Sequence, residues 1–266
     1  MEAAIGELER VAALHWRAPE ESRVGGWLLR AGGGFTGRAN SGLAVGDPGV
    51  PLDDALAAVC DWYRARGLPA MLAVPMQIPG PSSPRHALDD HLAERAWPLR
   101  AAPAFVMTTD LRQYGPAGSP GVLPASPLPM PPGTGLRMDS EPDEAWLGMY
   151  HYRGQELPPV ARELLMSAAW QRFASIRDSS GAPVAIARLS VADGWAGITA
   201  VEVSAAHRRQ GLGSLITRAA SAEAARQGVD RVFLQVETGN AAALALYERS
   251  GFRYSHRYHY RIAPRG

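Results

Sequence analysis

At 266 residues, with 46% hydrophobic and 20% charged residues, the chain has globular composition and room for one large or two modest domains. A formal charge of +1 supplies no field that would draw nucleic acid, and no apolar run approaches the ~18 residues of a membrane span. Cys60 is the single cysteine, which excludes an internal disulfide and a thiolate metal cluster.

The first residues, 1–16, carry three glutamates and one arginine, without the basic start and continuous apolar core of a secretory signal, so a cytoplasmic location is expected. All 27 basic residues are arginine, which reads as the composition of a GC-rich genome. Glu2 to Leu14 has the period of an amphipathic helix, and strands are predicted over Gly26–Arg30 and Phe35–Val45 around a triple-glycine turn. A helix over Leu52–Arg66, a strand over Ala70–Val74, a helix over His86–Ala96 and a strand over Pro103–Leu111 complete a front lobe, residues 1–113. Residues 114–135 are a scatter of Pro and Gly without helical or strand period, the composition of a linker.

The rear lobe, 136–266, repeats the rhythm. A short strand over Leu136–Met138 and helices over Pro142–Tyr150 and Pro158–Ala168 precede a meander of Trp170–Arg177, Pro183–Val191 and Trp195–Val203. A helix over Gly213–Gln227, a strand over Arg231–Val236, a helix over Ala241–Arg249 and a strand over Phe252–Arg261 follow. In that last strand His256, Tyr258 and Tyr260 alternate with Arg257, His259 and Arg261, the pattern of a closing strand with one buried aromatic face. Leu92-Ala93-Glu94-Arg95-Ala96 echoes Leu246-Tyr247-Glu248-Arg249-Ser250, each before a strand, which points to two related lobes with Ala93 in the place of Tyr247. The class expected is α/β, a mixed sheet with helices on its faces.

The chemistry is concentrated in Val203-Ser204-Ala205-Ala206-His207-Arg208-Arg209-Gln210-Gly211-Leu212-Gly213-Ser214, a passage from strand to helix. It has the makings of an anion site. Two glycines let a diphosphate approach the backbone, the helix start presents unpaired N–H groups, and Arg208 and Arg209 add fixed charge. A P-loop would need a lysine, and a dinucleotide fingerprint a third glycine where Ile216 stands.

Arginine, two residues, glycine, one residue, glycine, after a strand valine, resembles the acetyl-CoA pyrophosphate loop of the GNAT N-acetyltransferase superfamily. Asn240, the alanine-rich helix bearing Ala243 and Tyr247, and the following Gly251-Phe252 resemble that superfamily's second block, in the correct order. Ala205 stands where proline is common there. The resemblance implies a GNAT acyl-CoA N-acyltransferase fold, in two tandem lobes of which the rear is catalytic, and acetyl-CoA as cosubstrate with no metal. Its cofactor contacts would be Val201, Val203, Arg208, Arg209, Gln210, Gly211, Leu212, Gly213, Ser214, Asn240, Ala243 and Tyr247. A bulge at Val203 would aim a backbone N–H at the thioester carbonyl, Asn240 would hold the pantetheine arm, and Tyr247 would protonate the leaving sulfur. Glu202 and Glu237 are the carboxylates near enough to consider for deprotonating the amine.

Gly26-Trp27-Leu28-Leu29-Arg30 and Gly34-Phe35-Thr36-Gly37-Arg38-Ala39-Asn40-Ser41 are similar to the front lobe of an actinobacterial subfamily of N-acetylglutamate-synthase-like GNAT proteins. That likeness implies glutamate or another small amino acid as acceptor, its carboxylates met by Arg38 and Asn40 on one strand face, or by Arg153 and Arg188. The expected partner is a small-molecule amine, with neither nucleic acid nor membrane, and a homodimer is compatible with this reading. A protein N-terminus, an aminoglycoside-type amine and a non-catalytic acetyl-CoA sensor are the alternatives.

Overall fold

The computed structural model describes residues 2–78, 86–100, 102–113, 130–151 and 156–264. The chain runs α1 (Glu2–Leu14), β1 (Glu20–Val24), β2 (Trp27–Ala31), β3 (Gly42–Leu43), α2 (Leu52–Arg64), β4 (Met71–Met76), α3 (Ala87–Glu94) and β5 (Ala104–Asp110). There follow β6 (Gly135–Asp139), α4 (Glu144–Met149), α5 (Val160–Leu165), β7 (Trp170–Arg177), β8 (Pro183–Ala192) and β9 (Trp195–Val203). α6 (Leu212–Arg226), β10 (Arg231–Glu237), α7 (Ala241–Arg249) and β11 (Arg253–Ile262) close it. The class is the mixed α/β expected.

Two compact units divide the chain, the first of Met1–Val106, Val236–Gly239 and Ser255–Gly266, the second of Met107–Gln235 and Asn240–Tyr254. This is not the division drawn from the linker. The last strand belongs to the first unit, because β11 pairs antiparallel with β4 from Arg257↔Met76 to Ile262↔Met71. Residues 114–129 of the expected linker lie outside the described residues.

In the first unit β4 is buried at every position, and α2 lays Ala55, Leu56, Val59 and Tyr63 into the same core as Leu72, Val74 and Leu92. β1 escaped the sequence reading: Glu-Glu-Ser-Arg-Val is largely exposed and lacks apolar alternation, yet all five residues pair with β2. The strand predicted over Phe35–Val45 is a correction, since only Gly42 and Leu43 are extended. Thr36 has φ 61°, which no strand admits, and the segment instead folds back on Asn40. Both faces of the last strand are buried, not one, with His256, Tyr258, His259 and Tyr260 all enclosed.

The second unit holds the antiparallel meander β6-β7-β8-β9 and the parallel pair β9-β10. α6 packs on one face, where Leu212, Leu215 and Ile216 meet Ala174, Ala185 and Ala187. α4 starts at Asp143, which accepts from the Trp146 N–H at 2.8 Å, and Trp146 donates its indole N–H to the Ala174 carbonyl at 3.0 Å. The echo between the lobes is real at the level of helix ends, but shifted by one residue. Trp97 N–H returns to Leu92 O and Phe252 N–H to Tyr247 O, with Ala96 (φ 56°) and Gly251 (φ 85°) as the left-handed caps. Leu92, not Ala93, therefore stands in the place of Tyr247.

Candidate active site

β9 and β10 are paired from Trp195↔Arg231 to Ile198↔Leu234 and no further, although β9 runs on to Val203. The strands splay at their carboxyl ends. On its other edge β9 carries a bulge, where the register with β8 shifts between Ile186↔Glu202 and Arg188↔Thr199 and Ala200 takes φ 52°. The bulge expected at Val203 thus sits at Ala200–Val201, and Val203 remains in register with Ala185.

Beside the splay lies a cleft of about 600 Å³. Val201 and Val203 line it from β9, Arg208, Arg209, Gly211, Leu212, Gly213 and Ser214 from the loop and first turn of α6, and Ala243 and Tyr247 from α7. Four lining residues went unread in the sequence: His207, Ala242, Leu246 and Arg249. Arg249 was legible as the basic residue in the last turn of α7, two positions after Tyr247.

The loop is built to leave a helix start open. After β9, Ser204 Oγ and His207 Nδ1 lie 2.8 Å apart across a short 3-10 turn, which shapes the corner without a proline. Arg209 (φ 64°) and Gly211 (φ 80°) are both left-handed, and Gly211 caps α6 without any side-chain hydrogen bond. The first N–H groups of α6 are therefore free to meet an acceptor at the positive end of the helix. The two glycines do different work. A β-carbon on Gly211 would meet nothing within 4 Å, so its role is the left-handed turn, whereas one on Gly213 would lie 2.6 Å from Leu246 Cδ1. Gly213 lets α7 come close.

Tyr247 is buried, its ring 5.8 Å from that of Phe252, and burial pushes its hydroxyl above the ordinary phenol range. Asn240 caps α7, its Oδ1 accepting from the Ala243 N–H at 3.1 Å, and it does not line the cleft. Gln210 also lies off the lining, donating to the Ala206 carbonyl at 3.4 Å, and Arg208 donates to the Val203 carbonyl at 3.4 Å. Glu202 contacts His151, and Glu237 is the exposed last residue of β10.

Two of the four expected carboxylate partners, Asn40 and Arg188, are enclosed within the fold. Asn40 accepts from the Gly32 and Gly34 N–H groups at 2.9 and 2.8 Å and donates to the Phe35 and Thr36 carbonyls at 2.7 and 2.9 Å. It locks a turn. Arg38 stacks over Trp16 at 5.0 Å. Arg188 has no exposed surface and donates to the Leu165 carbonyl at 2.6 Å and the Ser190 hydroxyl at 3.3 Å. Arg153 lies outside the described residues. Among the described residues no group of three or more His, Cys, Asp or Glu could hold a metal, and no helix is long and apolar enough to cross a membrane.

A family model described as "Probable histone acetyltransferase Rv0428c C-terminal" matches residues 2–261. The chain belongs to this family. It is a GNAT-type acetyltransferase, and similarity over nearly its full length supports that at two levels. It is 28% identical over 272 residues to an uncharacterized N-acetyltransferase, YobR, of Bacillus subtilis, covering 97% of this chain and 98% of that one. It is also 28% identical over 277 residues to a probable histone acetyltransferase of Mycobacterium tuberculosis, covering 98% and 74%. In fold this GNAT acetyltransferase resembles a GCN5-related N-acetyltransferase from Kribbella flavida, with TM-score 0.70, 19% identity and 98% and 96% of the two chains covered. It also resembles a tandem GNAT protein from the clavulanic acid biosynthesis pathway, with TM-score 0.68, 16% identity and 97% and 88% covered.

Proposed function

We propose that this acetyltransferase moves the acetyl group of acetyl-CoA to a primary amine by direct attack in a ternary complex. What supports this reading above all is one cleft combining an open helix start, fixed cations and a buried phenol. The uncapped N–H groups of α6, with Arg208, Arg209 and Arg249, suit a diphosphate. The part of β9 beyond the splay has backbone groups not taken up by β10, and these suit the amides of an extended arm and the carbonyl of a thioester.

Tyr247 supplies the acid. Burial raises its hydroxyl above the ordinary phenol range, so it holds its proton at neutral pH and can present it to the departing sulfur. Glutamate as acceptor rests on the front-lobe signature alone, since Asn40 spends its donors inside the fold and Arg188 is wholly enclosed there. A protein amine is the second reading, favoured by the family description and by the name of the mycobacterial relative.

Release of free CoA thiol from acetyl-CoA, measured with glutamate, a lysine peptide and a panel of amines, tests both. Tyr247→Phe should lower turnover ~10- to 1000-fold while acetyl-CoA still binds. Binding without turnover on any amine would make the protein a sensor, and no binding would remove the cofactor assignment.

A further inference from the structure

Val201 and Val203 point to the α6 face of β9, where they pack with Leu212 and Leu215 and line the cleft. Glu202 lies between them, in register with Ile186, and a strand sends alternate side chains to opposite faces. Glu202 therefore projects to the other face, that of α5, where Arg188 on the neighbouring strand reaches the Leu165 carbonyl. There it meets His151, just beyond the C-terminus of α4. Its Oε2 accepts the His151 backbone N–H at 2.9 Å, and its Oε1 is 3.4 Å from His151 Nδ1.

The same Nδ1 is 2.7 Å from the Met149 carbonyl, which can only accept, so Nδ1 carries the proton and donates. Carbonyl and carboxylate together fix the tautomer, leaving the Nε2 lone pair open. The His151 side chain is 53% exposed, enough for a substrate to reach it, whereas Glu202 at 26% is sheltered behind it. Among the described residues Glu202 is the one charged side chain in contact with His151.

We infer that His151 is the proton acceptor for the amine and that Glu202 is its positioning residue, an inference that rests on the transferase reading above. The splay makes this geometry useful. With the donor held on the α6 face, the gap between β9 and β10 beyond Ile198 and Leu234 opens its acyl carbon to an amine arriving on the face that carries His151. An ammonium gives one proton to Nε2, which frees the lone pair that forms the C–N bond. The C–S bond breaks, and the thiolate takes the Tyr247 proton. The second amine proton, lost as the amide forms, returns to the tyrosinate through solvent, and His151 releases its own to solvent. This differs from a carboxylate base, because Glu202 never touches the amine.

The test is kcat and kcat/KM against pH for the wild type, His151→Gln, Glu202→Gln and the double variant, with acetyl-CoA binding measured separately by thermal shift. His151→Gln should lower kcat by about 100-fold at neutral pH with acetyl-CoA binding intact. That deficit should narrow as pH rises towards the amine's own pKa near ~10, where solvent has already removed the proton. The double variant should be no slower than His151→Gln, because Glu202 acts only through the imidazole. A His151→Gln deficit equal at all pH values, or no deficit, overturns the inference and leaves the transferase intact. A wild type that binds acetyl-CoA and acetylates nothing removes the transferase reading and this inference with it.

Discussion

Asn40 shows how a residue type can be read correctly as important and wrongly as to why. Its amide accepts two backbone N–H groups and donates to three carbonyls within a buried turn, so the side chain is fully spent on the main chain. Asn40→Ala would strand those groups, at about 2–4 kcal/mol for a network of this kind. Arg38, over the ring of Trp16, loses only a cation–π contact of about 0.5–2 kcal/mol when replaced by alanine. Thermal unfolding should therefore rank Asn40→Ala well below Arg38→Ala. The reverse order would return Asn40 to the list of ligand-binding residues. Arg208, Arg209 and Tyr247, to which the GNAT resemblance pointed, do line one cleft. The role of Asn40 was not legible, because an asparagine that closes a turn and one that binds a carboxylate have the same signature in a sequence.

Between elements, the approach of α6 and α7 decides whether the cleft exists. Gly213 sits where a β-carbon would lie 2.6 Å from Leu246 Cδ1, and Leu246 and Gly213 both line the cleft. Gly213→Ala should cost about 1–3 kcal/mol by overpacking and weaken acetyl-CoA binding. Shortening the partner should restore part of both, so Gly213→Ala combined with Leu246→Val or with Leu246→Ala should unfold at a higher temperature than Gly213→Ala alone. Equal penalties in all three variants would mean that the two helices do not meet through this pair. The glycine pattern was plain in the sequence, but its meaning was divided differently: Gly211 serves a backbone angle and Gly213 a helix contact, a distinction that needs the second helix in view.

Across the whole molecule the telling connection runs from the last strand to the front half of the chain. His259 Nε2 and Arg261 Nε lie 2.7 and 2.8 Å from Asp89 Oδ1, and Arg261 Nη2 is 2.9 Å from Oδ2. Burial works to raise the Asp89 carboxyl, but the hydrogen bonds and charges of Arg261 and His259 outweigh it and hold it below the ordinary carboxylate range. Burial also lowers His259, against the pull of Asp89. Both groups are depressed in the folded state, so each contributes stability above its unfolded pKa that is lost as pH falls through the folded one. Stability should decline below about pH 6.5, as the unfolded chain takes up a proton that folded His259 resists, and again below about pH 4 through Asp89. Denaturant unfolding across that range checks it: His259→Gln should flatten the upper step, and an unchanged upper step would assign it to another histidine. By itself the sequence determined the class, the order of nearly all elements and the glycine loop at a helix start, because periodicity, turn chemistry and a helix start are local properties, and its resemblance to the GNAT superfamily pointed to Tyr247. Only the tertiary structure decided that β11 belongs with β4, that Arg188 faces inward, and that His151 meets Glu202, because each joins residues far apart in the chain whose partners no local pattern names.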